Sequence, residues 1–358
     1  MAGTDRPERD DAAGRWTRRG LLLAAAAAGG GGLAACSVAP SSVTGAAPAT
    51  VTTPASPGPT TTVTVTPPPP SAAPVPTLPE RPEPWRPPAG EVLPECKQAA
   101  VDLLVAAMSF DDDGRDDDAL ARRLEPTGQD PEVARPLLGL LPGSGPAALA
   151  ISYSQYGGLN PAETRASQMV VGTQLLLDAD GELVRRSFAA DVRLTEREGR
   201  WVVTSVQPAF PDPPLPPLDP AIEALLDDER VTIPGIARAD LRSGVVHASV
   251  AEALIELAGT WQIGVHVFYS AHPVNVFATT RPSAHTVGRA VDVWSLDGVP
   301  VIDQDSSPWR AFMEAALEAG ATDIGGPEEL QPTARYFTDR VHQDHVHLGF
   351  PLPPDRRV

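Results

Sequence analysis

Ser283-Ala284-His285-Thr286-Val287-Gly288-Arg289-Ala290-Val291-Asp292 sets a histidine and an aspartate around a glycine and a small alanine. About fifty residues later the chain carries Asp344-His345-Val346-His347. All seven histidines lie between His247 and His347, and none precedes them. Imidazole is a good metal ligand near neutral pH, so histidines gathered beside aspartates in one segment point to a metal site. Gly288 and Ala290 let the backbone turn and approach closely, so that a loop histidine and a strand aspartate can converge. After Asp344 the chain reads as extended, and side chains two apart share a face, so His345 and His347 are expected to point the same way.

Working outward, Ser249 to Thr260 reads as a helix with Val250, Ala253, Leu254 and Leu257 on one side, followed by a β-rich Ile263 to Tyr269. Ser307 to Ala319 reads as a second helix and Val341 to Leu348 as a strand. Such mixed content suffices for a compact unit over 221–358. A proline cluster at 211–220 is the expected linker to an earlier α+β domain over 95–210. That domain opens with a helix whose Ala100, Leu103, Leu104 and Ala107 share a face. Three or four antiparallel strands are expected after Ala147, with turns at Asp178 to Gly181 and at Glu198-Gly199. The layout loosely resembles NTF2-like or cystatin-like accessory domains. The acidic run from Asp111 to Asp118 lacks the ligand spacing of a calcium loop and reads as a solvated loop.

The 358 residues leave room for two modest domains, but 41 prolines mean that part of the length is not packed core. A net charge of -18 excludes electrostatic capture of nucleic acid, which needs a basic face. From Ser37 to about Gly90 the chain is almost entirely Ala, Ser, Thr, Val and Pro, and 37–94 reads as a disordered, semi-rigid tether. Before it, basic residues from Arg15 to Arg19 precede a short apolar run ending Leu33-Ala34-Ala35-Cys36, the pattern of a signal peptide over 1–36. The ending resembles the lipobox of bacterial lipoproteins, and Thr17-Arg18-Arg19-Gly20-Leu21-Leu22 resembles a twin-arginine export signal. The resemblance implies a lipid on Cys36, anchoring an exported protein at the outer face of the cytoplasmic membrane, toward the cell wall. An uncleaved anchor helix is the alternative, and it too leaves the bulk of the chain outside. Cys96, with no second unmodified cysteine to pair with, reads as a free thiol.

In order and spacing, the two histidine motifs resemble those of the zinc D-Ala-D-Ala peptidase family (VanX and VanY type, Hedgehog/DD-peptidase fold), over roughly residues 219–350. The resemblance implies Zn2+ held by His285, Asp292 and His347, with Asp344 as general base where the family has glutamate. It implies that the non-ligand His345 contacts substrate or water, with Ser283 and His272 along the substrate cleft. Arg281 is the cation assigned to a substrate carboxylate or the oxyanion. Three N or O ligands leave a catalytic zinc one position for water, so the count is chemically complete. On a strict strand Asp344 would face away from His347, so its role requires a turn or bulge between them. His247, His266 and His342 lie outside both motifs and read as structural or solvated. The expected activity is hydrolysis of peptidoglycan stem peptides. The alternative is a wall-binding or scaffold lipoprotein that keeps the fold without turnover.

Overall fold

The structure is a computed structural model of the chain. It describes residue 78 and residues 82–351, except 112–113, 142–144, 179 and 332–334. The expected signal peptide, its lipidation site Cys36 and most of the expected tether lie outside the described residues. All described residues belong to one compact unit. The described chain is mixed α+β with two sheets.

In the first half, α1 (Pro94–Met108), α2 (Asp117–Leu124) and α3 (Pro131–Ala134) precede four strands, β1 (Ala147–Leu159), β2 (Arg165–Leu177), β3 (Leu183–Arg197) and β4 (Arg200–Pro208). These pair antiparallel in sequence order. Glu198 and Gly199 join β3 to β4 with φ of 53° and 75°, the paired positive values that suit a right-twisted hairpin. Asp178 Oδ1 accepts from the backbone N–H groups of Asp180 and Glu182 and so closes the β2–β3 turn. The apolar face of α1 covers this sheet, with Leu103 and Leu104 against Val170, Val192 and Val203. Packing begins earlier than composition implied: Trp85 lies against this core, and Glu91 and Val92 are buried, so the end of the 37–94 segment is part of the fold. Cys96 is a buried free thiol.

The second half runs α4 (Pro220–Asp227), β5 (Val231–Thr232), α5 (Gly235–Arg242), α6 (Ala248–Leu257), β6 (Ile263–Val267), β7 (Ala290–Leu296), β8 (Val299–Pro300), α7 (Trp309–Glu318), β9 (Asp323–Gly325), β10 (Tyr336–Phe337) and β11 (Val346–Gly349). Its sheet has the order β10-β9-β11-β7-β6-β5, with β8 on the side of β7. The inner pairs are antiparallel; β5–β6 and β9–β10 are parallel. Leu225, Val250, Leu254, Phe312, Val293 and Leu348 meet in its core.

The expected strand from Val341 shrinks to Val346–Gly349. Asp339 Oδ1 takes the N–H groups of Val341 and His342, and such local bonds compete with a strand ladder. The two halves meet directly. Tyr153 of β1 stacks on Trp294 of β7 at 4.8 Å, and Met169, Val171 and Ala189 of the first sheet pack with Val267 of the second. No helix among the described residues is long and apolar enough to cross a membrane.

Candidate metal centre

His285 opens a single 3-10 turn, His285–Val287, that ends at Gly288 with φ 70°. A side chain on Gly288 would collide with the Val245 carbonyl, so the turn needs glycine both for its left-handed backbone and for space. Ser283 supports the same turn, its Oγ accepting from the His285 N–H at 3.3 Å. The Phe268 carbonyl lies 2.6 Å from His285 Nδ1; a carbonyl only accepts, so Nδ1 carries the proton and donates. The lone pair of the neutral ring is thereby left on Nε2, the arrangement that prepares a histidine for metal.

Asp292 lies on β7 directly opposite His347 on β11 in the antiparallel register. Opposed side chains on one face of a sheet approach closely, and here His347 Nδ1 is 2.9 Å from Asp292 Oδ1. His285 Nε2 is 3.1 Å from each of those two atoms. The three side chains are buried. Burial opposes ionisation of Asp292, yet the positive charge that His285 and His345 carry when protonated holds its carboxyl well below the usual range, and a cation bound at the same place would do the same. Burial moves His347 the other way, down to about 4, so its ring is neutral at pH 7 with a lone pair to offer.

His272 stacks on His285, ring centres 3.9 Å apart and planes 13° from parallel. His272, His285 and Asp292 bring ligand atoms within 4.8 Å of one another and form a group able to hold a metal ion. Burial, then the neighbouring His285, keeps His272 uncharged.

The structure places Asp344 behind this cluster rather than in it. Its Oδ1 receives His345 Nδ1–H at 2.6 Å and its Oδ2 receives Lys97 Nζ at 2.5 Å, with Asp344 itself 1% exposed. The turn that would swing Asp344 onto the face of His347 is absent, because Lys97 and His345 already occupy both oxygens. Asp344, expected from the motif to act as base, therefore reaches the cluster only through His345, and it does not line the cleft. Burial works against the ionised Asp344, but Lys97 and His345 prevail and bring it down to about 2. His345 Nε2 points back toward the cluster, 3.8 Å from Asp292 Oδ2.

Two partners come from the first half and carried no motif. Gln155 of β1 donates from Nε2 to Asp292 Oδ2 at 2.7 Å. Lys97 of α1 also lies 2.5 Å from Glu91 Oε2, and Tyr153 O–H donates to Glu91 Oε1 at 2.5 Å. One cue to Lys97 existed in the sequence: it sits on the helix face of Ala100 and Leu104, where a charged residue needs a buried partner.

A cleft of about 340 Å³ opens over the cluster, lined by Tyr156, Phe277, Arg281, Asp292, His342 and His345 among others. His272, Ser283 and His347 also line it, whereas Asp344 does not. Tyr156 to Leu159 of β1 form part of the wall, so both halves shape the opening. His342 is closer to the site than its position outside the motifs implied: its ring centre is 4.9 Å from that of His345 and 5.9 Å from that of His347. His266 is structural, buried with Nε2 2.9 Å from the Met169 carbonyl. No family model matches the chain, and neither a curated protein nor a solved structure does.

Proposed function

We propose that the chain is a zinc-dependent peptidase that hydrolyses peptidoglycan stem peptides beside a D-amino acid. What supports this reading is the convergence of two imidazole nitrogens and one carboxylate oxygen, from His285, His347 and Asp292, at 2.9–3.1 Å from one another. Atoms bonded at about 2.0–2.1 Å to one tetrahedral ion lie roughly 3.3 Å apart, so the set fits zinc closely. His285 Nε2 and Asp292 Oδ1 both offer lone pairs, and crowding them calls for a cation between them. His347 is a better third ligand than His272. His347 Nδ1 lies 3.1 and 2.9 Å from the other two ligand atoms, whereas the ligand atoms of the group with His272 lie within 4.8 Å of one another.

Bound zinc would polarise the scissile carbonyl and lower the pKa of a water to about 7. His345, its Nδ1–H held by Asp344, offers Nε2 at the cleft to take the proton of the attacking water and pass it to the leaving amine. Arg281 lines the same cleft and is the cation for a substrate carboxylate or developing oxyanion. A lipid on Cys36 and the Pro/Thr-rich tether would keep this chemistry at the outer face of the cytoplasmic membrane, toward the wall peptide.

The test is mass spectrometry of muropeptides incubated with the purified protein, with and without a chelator, alongside His285→Ala. Wild type is expected to copurify with or take up one zinc and to shorten stem peptides. The chelator and the substitution are expected to abolish cleavage. Zinc retention without any change in the muropeptides would transfer the support to a non-catalytic wall-binding role.

A further inference from the structure

We propose that Lys97 and Gln155, from the N-terminal half, are positioning residues that complete the metal centre. Gln155 engages the outer oxygen of Asp292 so that Oδ1 faces the histidines. Lys97 engages the outer oxygen of Asp344 so that Oδ1 holds His345 in one tautomer. The word positioning rests on the peptidase reading above; the contacts themselves do not.

The orientation of each contact is forced by chemistry. An ionised carboxylate only accepts, so Gln155 must turn its amide nitrogen to Asp292 Oδ2. Among the described residues that leaves Gln155 Oε1 buried without a hydrogen-bond partner, a cost with no return except the bond to Asp292. Lys97 is fully buried between two carboxylates and beside the rings of Tyr153 and Tyr156, 5.0 and 5.3 Å from its Nζ. Buried ion pairs seldom stabilise a fold more than apolar residues of the same volume, and the rest of this helix face is apolar. A Met there would pack as well, so stability alone does not account for the lysine. The chain of contacts Lys97 to Asp344 to His345 ends at the cleft, as does the shorter one from Gln155 to Asp292. Ligand-orienting contacts of this kind tune metal affinity and ring orientation.

The experiment uses protein labelled with 15N-histidine, first metal-free and then titrated with zinc chloride. The His345 ring signals are assigned by their loss in His345→Gln. Wild type, at a pH high enough that the ring is neutral, is expected to show His345 with its proton on Nδ1. Lys97→Met is expected to mix the two His345 tautomers while zinc still binds, and to lower kcat on stem peptide about 10²-fold with KM little changed. Gln155→Met is expected to leave the His345 pattern intact and to weaken zinc binding about 10–100-fold. If Lys97→Met does not fold, Lys97→Gln, which keeps a donor but no charge beside Asp344, takes its place, and the same mixing of tautomers is expected. An unchanged His345 pattern in the folded lysine variant, or wild-type zinc affinity in Gln155→Met, overturns the proposal. Tautomer and zinc affinity are read without substrate, so if both move as stated and no stem peptide is cut, the positioning roles stand and the peptidase reading falls.

Discussion

Asp292 and His347 are opposite one another in the β7–β11 register, and their facing atoms are 2.9 Å apart. On the proposed reading the pair supplies two of the three ligands from one rung of an antiparallel ladder, and the turn ending at Gly288 brings in His285. A sheet register is far stiffer than a loop, so ligands on facing strands would hold a metal ion more precisely.

His345→Gln tests the proton-transfer role. Its ring is not in the ligand trio, so zinc content by elemental analysis is expected to stay at one per chain. kcat is expected to fall about 10²–10⁴-fold, the usual worth of a positioned acid/base group. Full activity in this variant would remove His345 from the mechanism.

Gly288→Ala tests the turn. A left-handed residue with a side chain costs about 1–2 kcal/mol, and the collision with the Val245 carbonyl adds to it, so a loss of at least about 2 kcal/mol is expected in urea unfolding. Zinc affinity is expected to fall with it, because His285 is the first residue of that turn.

Glu91 gives stability a pH dependence of known sign. Burial, then Asp344, raises its carboxyl from 4.5 to about 7 against the pull of Lys97. The folded state therefore keeps a proton that the unfolded chain releases above about pH 4.5. Stability from this group is complete below that pH, declines as pH rises to about 7, and is level beyond. Glu91→Gln is expected to flatten this decline, worth on the order of 3 kcal/mol, in urea titrations from pH 5 to 8 with chelator present.

Cys96 is expected to resist alkylation. Burial pushes its thiol up to about 12, and the thiolate is the reactive form. Peptide mapping after iodoacetamide treatment should find Cys96 unmodified in native protein and modified in urea. Rapid native labelling would show that the α1 core opens readily.

Much of the fold was legible where the pattern is local. The apolar spacing of Ala100, Leu103, Leu104 and Ala107 marked α1, and Glu198-Gly199 marked a hairpin, because periodicity and turn chemistry act within a few residues. The strand expected from Val341 failed for an equally local reason, the capture of two backbone N–H groups by Asp339. Trp85, Glu91 and Val92 join the core although they lie in the proline-rich segment, because such composition says nothing about which end of it folds back onto a core.

By itself the sequence determined which donor types are present and how a short loop and a short strand would carry His285 and Asp292, since seven residues of backbone leave few ways to arrange them. The approach of His347, the retreat of Asp344 behind His345, and the arrival of Lys97 and Gln155 were decided only by the tertiary structure. Lys97 and Asp344 are 247 positions apart. Contacts at that separation arise from two sheets burying their faces against each other, and no local spacing encodes where a buried charge will find its partner.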